Sequence, residues 1–218
     1  MFKQLRSVFL ESRCPLCDRT TPETICIYCQ KKLKSHQLNQ WDDLWQGDLP
    51  VFAWGKYDGQ LKRAIAILKY NNQPEIGRIL GQWLGESWVD NSLIELKQKI
   101  TVIPIPLHSK KLQDRGFNQA EVIAKNFCKA TGYLLNAQGL IRTRNTKVMF
   151  GLNPVERTEN LKDAFRVGQK ISRSPVLLLD DIYTAGTTVK EAAKVLRQQN
   201  IEVAGVIVAA KTIQSKRT

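Results

Sequence analysis

Apolar and polar residues in the second half of the chain alternate in the manner of short strands separated by amphipathic helices. The clearest helix has an i, i+3, i+4, i+7 apolar face formed by Val189, Ala192, Ala193 and Leu196. Short apolar strands between helices are typical of an α/β fold, a mostly parallel twisted sheet with helices on both faces. The pattern predicts strands at 101–106, 134–141, 164–168, 176–180 and 201–210, and helices at 117–131 and 187–199.

The first half continues the same pattern. The segment VFAWGKY at 51–57 predicts a strand, and 58–70 and 75–98 predict two helices. No apolar run approaches the roughly 18 residues that a membrane span needs. The apolar residues at the start of the chain are also too few and too interrupted for a signal peptide. We therefore expect a cytoplasmic protein without a transmembrane segment.

The formal charge of +13 is unevenly distributed. Residues 101–218 hold 19 Lys and Arg against 9 Asp and Glu, whereas residues 1–100 hold 14 against 11. This excess favours anionic partners, namely nucleic acid, phosphorylated metabolites or acidic surfaces. Charge alone is equally compatible with simple solubility and does not name the partner.

Four of the five cysteines form two Cys-x-x-Cys pairs, Cys14 with Cys17 and Cys26 with Cys29, separated by eight residues. Two such turns direct four thiolates at one centre, as in tetrahedral structural Zn²⁺ sites. Four sulfur ligands leave no open coordination position, so we expect no zinc catalysis. A redox dithiol or an iron centre is the alternative. Residues 10–40 have few apolar side chains, so the metal would supply the folding free energy, about 10–16 kcal/mol in small fingers.

The chain divides by composition into a zinc-finger region at 1–40 and a main domain at 41–218, joined by a polar stretch at 40–50. His36 follows the cysteines and is either a replacement metal ligand or, more simply, a solvated loop residue. Cys128 lies alone on a predicted helix, where it fits a small buried hydrophobe.

An acidic pair, Asp180 and Asp181, follows the apolar strand residues 176–179 and precedes a loop of small and hydroxylated residues. The backbone N–H groups of such a loop and the following helix N-terminus form an anion-binding site. The loop lacks the lysine of a Walker motif and the spacing of a dinucleotide turn. A capped turn with a solvated acidic pair is the alternative. The loop residues are Thr184, Ala185, Gly186, Thr187 and Thr188.

Basic residues cluster in two segments that we expect at the same edge of the sheet. One follows strand 101–106, with His108 beside it, and the other is the polar stretch 142–160. Each basic residue alone is more often solvated, but the clustering suits a pyrophosphate or a nucleic-acid backbone. The candidates are Lys110, Lys111, Arg115, Arg142, Arg144 and Lys147.

Residues 176–188 resemble the phosphoribosyl pyrophosphate (PRPP) motif of type I phosphoribosyltransferases. The resemblance implies that Asp180 and Asp181 lie by the ribose 2′- and 3′-hydroxyls, where they would be the catalytic pair of an enzyme. It also implies that residues 184–188 hold the 5′-phosphate and that Mg²⁺ accompanies PRPP. The fold implied is that of a type I phosphoribosyltransferase.

The order of motifs along almost the whole chain is similar to that of the ComF (competence protein F) family. The motifs are CPLC and CIYC, YDGQLKRAIAILKY, VIPIPLHSKKLQDRGFNQAE, RTENLKDAFRV and the PRPP motif. That resemblance implies a role in natural transformation, in which incoming single-stranded DNA reaches the cytoplasm.

Two hypotheses of different class follow. In the first, the protein handles single-stranded DNA on the cytoplasmic side of the inner membrane, beside the DNA-translocation machinery, and binds PRPP with Mg²⁺. In the second, it is a phosphoribosyltransferase with an unknown acceptor, for which the sequence shows no recognisable pocket. Trp41, Trp45 and Trp54 could stack bases, although core packing is the commoner role.

Overall fold

The structure, a computed structural model, describes residues 12–38, 46–91, 99–144, 161, 163–168, 171 and 174–213. Strands and helices alternate through these residues, as the apolar pattern predicts. The strands are β1 (Ser12–Arg13), β2 (Thr20–Thr21), β3 (Val51–Lys56), β4 (Thr101–Pro104), β5 (Leu134–Leu135), β6 (Leu140–Arg142), β7 (Phe165–Val167), β8 (Val176–Tyr183) and β9 (Val203–Lys211). The helices are α1 (Ile27–Lys34), α2 (Gly59–Tyr70), α3 (Pro74–Val89), α4 (Ser109–Arg115), α5 (Gln119–Thr131) and α6 (Thr187–Arg197).

Five parallel strands form the central sheet in the order β3–β9–β8–β4–β5. Helices α2, α3 and α5 cover one face, and α6 with the β6–β7 ribbon covers the other. Side chains of β8 alternate between the two cores, with Leu177 and Leu179 on the α2 side and Val176 and Leu178 on the α6 side. The predicted α/β fold is therefore confirmed.

The connections from two neighbouring strands diverge. The chain leaves β4 through α5 towards β5 at one edge, and it leaves β8 through α6 towards β9 on the other side. In open α/β sheets, this divergence leaves a crevice outside the carboxyl ends of the two strands, where ligands bind. We call this place the crevice.

Several elements of the structure differ from the sequence prediction. The strand predicted at 134–141 is two strands, because β5 pairs with β4 while β6 pairs antiparallel with β7 in a separate ribbon. Strand β8 continues three residues beyond its predicted end, since its ladder with β9 reaches Tyr183 opposite Lys211. The basic loop before α5 contains the unpredicted helix α4, which ends at Gly116 with a φ of 81°.

The cysteine-bearing segment packs against the main domain. Leu16, Ile25 and Leu33 are fully buried and belong to the same core as Trp54 and Leu61. The expectation that metal alone would hold this segment was therefore wrong, because these side chains also bury apolar surface. The predicted boundary at residue 40 lies outside the described residues, as do Trp41 and Trp45, so the division into 1–40 and 41–218 stays a prediction.

Trp54 is a core residue, 1% exposed and stacked on Trp83 with ring centroids 5.5 Å apart. It is therefore not accessible to a nucleic-acid base. Across the described ranges, no helix combines the length and the apolar character that crossing a membrane requires.

Candidate functional site

The acidic pair lies at the crevice. Strand β4 ends at Pro104, and the Ile105 N–H makes the next interstrand bond to the Leu179 carbonyl, at 2.8 Å. Strand β8 continues beyond this point, so Asp180 and Asp181 lie where the neighbouring strand has ended. The sheet thus positions both carboxyl groups at the edge that the sequence pattern predicts.

Asp181 makes a buried ion pair with Lys69, in the last turn of α2. The Asp181 Oδ2 and Lys69 Nζ atoms are 2.7 Å apart, and the two side chains are only 5% and 19% exposed. Burial lowers the pKa of Lys69, but the charge and hydrogen bond of Asp181 outweigh it, so the net direction is upward. The ion pair therefore favours the charged form of Lys69.

Sequence reasoning missed Lys69. Its position follows Ile65 by four residues, which places it on the inward face of α2 beside Leu68. A lysine in an apolar helical stripe needs a buried anion, and the acidic pair was the obvious candidate. The sequence therefore contained a usable signal for this contact.

Asp180 has a different environment from its neighbour. Its Oδ1 accepts a hydrogen bond from the Asp181 N–H at 2.8 Å. Burial and the adjacent Asp181 carboxylate raise the pKa of Asp180 to about 8, while Lys69 opposes the rise. Asp180 is therefore easier to protonate than an ordinary aspartate, and Lys69 pairs with Asp181 rather than with Asp180.

Three of the predicted basic residues lie near one another, and one of them, Arg142, is close to Asp180. Burial and the charges of Arg142 and Arg115 lower the pKa of Lys111. Burial also lowers the pKa of Arg142, and the opposite charge of Asp180 partly offsets this shift. The charges of Arg142 and Arg115 repel that of Lys111, and an anionic ligand at the crevice would reduce this repulsion.

The other predicted basic residues are placed differently. Lys110 and Arg144 are exposed, the first on α4 and the second after β6. Lys147 lies outside the described residues. His108 caps α4, because its Nδ1 accepts a hydrogen bond from the Lys110 N–H at 3.3 Å.

The predicted phosphate loop, residues 184–188, leads into α6. Gly186 has a φ of 72° and precedes the first helical residue, Thr187. As a glycine it offers no side chain to cap the first N–H groups of α6, which remain available to an anion. Thr184 and Ala185 are exposed, so solvent reaches the loop.

The four paired cysteines form one cluster, with all of their Sγ atoms within 4.8 Å of one another. Tetrahedral zinc with bonds of about 2.3 Å would place its sulfur ligands about 3.8 Å apart, and the Cys17 and Cys26 Sγ atoms are 3.5 Å apart. Cys14, Cys26 and Cys29 are buried, whereas Cys17 is exposed. The cysteines are thus positioned to hold a metal ion, and the donor set fits zinc.

The surroundings of the cluster favour a bound cation. Burial and hydrogen bonds from the other three cysteines raise the pKa of the Cys29 thiol, so its thiolate depends on a cation. The Gln60 side chain at the start of α2 donates to the Cys29 Sγ at 3.8 Å. His36 is not a solvated loop residue, since its Nε2 accepts the Gln60 N–H at 3.2 Å. Cys128 is 8% exposed, which confirms it as a buried small hydrophobe.

Comparisons with known proteins name a family. No model of a protein family matches the chain. Competence protein F of Haemophilus influenzae is 31% identical over 153 residues, which span 68% of this chain and 66% of the relative. DNA utilization protein YhgH of Escherichia coli K12 is 27% identical over 191 residues, 84% of this chain and 83% of the relative. Competence protein ComFC of Bacillus subtilis is 24% identical over 189 residues, 85% of this chain and 72% of the relative. The chain belongs to the family of these proteins, the ComF or competence protein F family.

Proposed function

We propose that this protein acts in DNA uptake during natural transformation and binds PRPP with Mg²⁺ at the crevice. The relatives' names, competence protein and DNA utilization protein, support the first part. The observation that carries the second part is the meeting of an acidic pair, three repelling cations and a glycine-containing loop at one crevice. We place the protein on the cytoplasmic side of the inner membrane, beside the DNA-translocation machinery.

Each part of PRPP matches one part of the crevice. The ribose lies at the acidic pair, where its hydroxyls are donors for the carboxyl group of Asp180, and the 5′-phosphate suits the N–H groups of residues 184–188. The negative charge of the pyrophosphate complements the positive charges of Lys111, Arg115 and Arg142. Mg²⁺ bound with PRPP would neutralise further phosphate charge.

The first test compares two adjacent lysines. Wild-type protein should bind PRPP–Mg²⁺ at least tenfold more tightly than either ribose 5-phosphate or pyrophosphate in calorimetry, because only PRPP fills the whole crevice. Lys111→Ala should weaken PRPP binding about 10- to 100-fold, since a hydrogen bond to a charged group contributes about 1.5–3 kcal/mol. Lys110→Ala, on the exposed side of α4, should stay within twofold of wild type. Equal affinity for PRPP and pyrophosphate would mean that the crevice binds anions without recognising the sugar phosphate.

We infer that the cysteine cluster holds zinc as a structural ion. Four sulfur ligands complete a tetrahedron and leave no position for substrate. The burial of three of the four cysteines supports the same role.

For single-stranded DNA, the supporting observation is a pair of exposed tyrosines, each beside an arginine. Tyr28 is 61% exposed with the Arg19 guanidinium 4.7 Å from its ring centroid. Tyr70 is 77% exposed with the Arg115 guanidinium 5.7 Å from its ring centroid. Bases stack on exposed aromatic rings, and adjacent arginines attract phosphates.

Tyr28→Ala should weaken the binding of a single-stranded oligonucleotide by about 1–3 kcal/mol for each base that stacks there. Fluorescence anisotropy with a poly-dT oligonucleotide measures this affinity, and Tyr28→Phe, which keeps the ring, is the matched control. The logarithm of the affinity should also fall with log salt by about 0.7 per phosphate contacted. If Tyr28→Ala binds the oligonucleotide as tightly as wild type does, Tyr28 is not part of the DNA-binding surface. If the affinity does not depend on salt, basic residues do not contact the DNA phosphates.

The enzyme hypothesis keeps one observation in its favour. Arg142 lies near Asp180, and Lys111 lies near Arg142, so a cation adjoins the carboxyl group proposed for the ribose, where departing pyrophosphate would need stabilisation. An assay would incubate the protein with PRPP and a panel of amine and base acceptors. Release of pyrophosphate with any of them would favour the enzyme hypothesis over a role in binding alone.

A further inference from the structure

Strand alternation separates the two members of the acidic pair. Leu177 and Leu179 face the core under α2, and Asp181 continues this row. Leu178 faces the opposite core, under α6 and the β6–β7 ribbon, and Asp180 continues that row. The register supports this, because Asp180 lies opposite Val208, another residue of the α6-side core.

The two carboxyl groups also differ in what they contact. Asp181 is 4% exposed and bound to Lys69 at 2.7 Å, so its charge is already paired inside the protein. Asp180 is more accessible and has Arg142 of β6 among its charged neighbours. A carboxylate locked in a buried ion pair cannot reorient to a ligand without leaving the lysine uncompensated, which is strongly destabilising.

We propose that Lys69 divides the acidic pair into an anchored carboxylate, Asp181, and a ligand-facing carboxyl group, Asp180, which meets the ribose hydroxyls of a phosphorylated sugar. Lys69 is thus a positioning residue, because it acts on the ligand through the acidic pair. This inference rests on the proposed PRPP site for the role of Asp180, whereas the anchoring of Asp181 stands without a ligand.

The anchoring is tested by thermal unfolding of single and double variants. Lys69→Met and Asp181→Asn should each lower the Tm clearly, because each leaves a buried partner unpaired. The double variant should recover at least half of the combined loss, since neither charge is then left alone. Asp180→Asn and the exposed α2 control Arg63→Met should both stay close to the wild-type Tm. Additive losses in the double variant, or an equally large loss in Asp180→Asn, would overturn the anchor.

The ligand-facing role is tested by the binding of PRPP with Mg²⁺ across pH 6–9. Asp180→Asn should lose at least tenfold in affinity, whereas the double variant Lys69→Met/Asp181→Asn should retain binding within about threefold. The charged and titratable groups facing the pair are Lys69 and Tyr57 on the α2 side and Arg142 on the other side.

The pH profile separates positioning from a purely structural role. Binding that needs ionised Asp180 strengthens as pH rises through its pKa, which Asp181 raises and Lys69 lowers. The midpoint should therefore move to higher pH in Lys69→Met and to lower pH in Asp181→Asn. General loosening of the fold would not produce opposite shifts, so parallel or absent shifts would overturn the proposal. If wild-type protein binds no PRPP at any pH, the proposed function and the role of Asp180 both fail, while the stability cycle still decides the anchor.

Discussion

Removing the metal from the cysteine cluster is expected to unfold the segment 12–38 and to destabilise the main domain with it. Structural zinc in small fingers contributes about 10–16 kcal/mol, and a cluster of four thiols within 4.8 Å has no comparable replacement. Without the cation, the Cys29 thiol is neutral, because burial raises its pKa. Cys29→Ser should therefore lose the metal and lower the Tm sharply.

The effect should extend beyond the finger because the finger shares the main core. Leu16, Ile25 and Leu33 pack with Leu61 of α2, and each exposes apolar surface when the finger unfolds. Exposing one such side chain costs about 1.5–3 kcal/mol. We therefore expect a chelator to lower the Tm of the whole protein rather than to add a separate early transition.

Elemental analysis and thermal unfolding with and without chelator measure both effects. Wild-type protein should contain about one zinc per chain by the donor-set argument. Cys128→Ser is the matched control, since Cys128 is buried away from the cluster and should leave the zinc content unchanged. If the Tm were unchanged after complete chelation, the shared core would not couple the stability of the main domain to metal binding in the finger.

The sheet, the cysteine cluster and the position of the acidic pair could be predicted from the sequence because their signals are local. The local sequence alone predicts that apolar strand residues such as 176–179 are buried. It likewise predicts that cysteines paired at fixed spacing bind a metal. The acidic pair belongs to this class, because a strand end followed by a glycine-containing loop indicates the carboxyl edge of a parallel sheet.

The other contacts and strand bounds could not be predicted from the sequence, because they depend on residues that are distant along the chain. Lys69 lies more than a hundred residues before Asp181, so the apolar stripe of α2 indicates only that this lysine needs a buried anion, and its pairing with Asp181 rather than Asp180 depends on the fold. The extension of β8 depends likewise on its ladder with β9, and the break at 134–141 depends on β7. His36 is a similar case, since only the folded finger brings it to the start of α2.

Gly186→Ala is expected to abolish ligand binding at the phosphate loop. Gly186 has a φ of 72°, and a left-handed conformation costs an alanine about 1–2 kcal/mol. A Cβ atom there would also lie 2.3 Å from the Tyr183 hydroxyl oxygen and 2.5 Å from the adjacent ring carbon. Tyr183 or the loop must therefore move, and the N–H groups at the start of α6 move with the loop.

The variant Gly132→Ala separates the backbone cost of a left-handed alanine from the effect of the clash with Tyr183. Gly132 has a similar φ of 76°, but its Cβ would meet nothing within 4 Å, and it ends α5 away from the loop. Both variants should lose comparable backbone stability, about 1–2 kcal/mol, in denaturant unfolding.

Only Gly186→Ala should lose PRPP affinity, by a hundredfold or more, because bidentate and backbone hydrogen bonds to phosphate require a fixed geometry. Calorimetry with PRPP–Mg²⁺ on wild type and both variants measures the difference, and zinc content checks that each variant is folded. Tyr183→Phe added to Gly186→Ala removes the closest atom, so it should restore part of the affinity if the clash with the hydroxyl displaces the loop. Equal PRPP affinity in Gly186→Ala and Gly132→Ala would mean that residues 184–188 do not hold the phosphate, and the acidic pair would then need a different ligand.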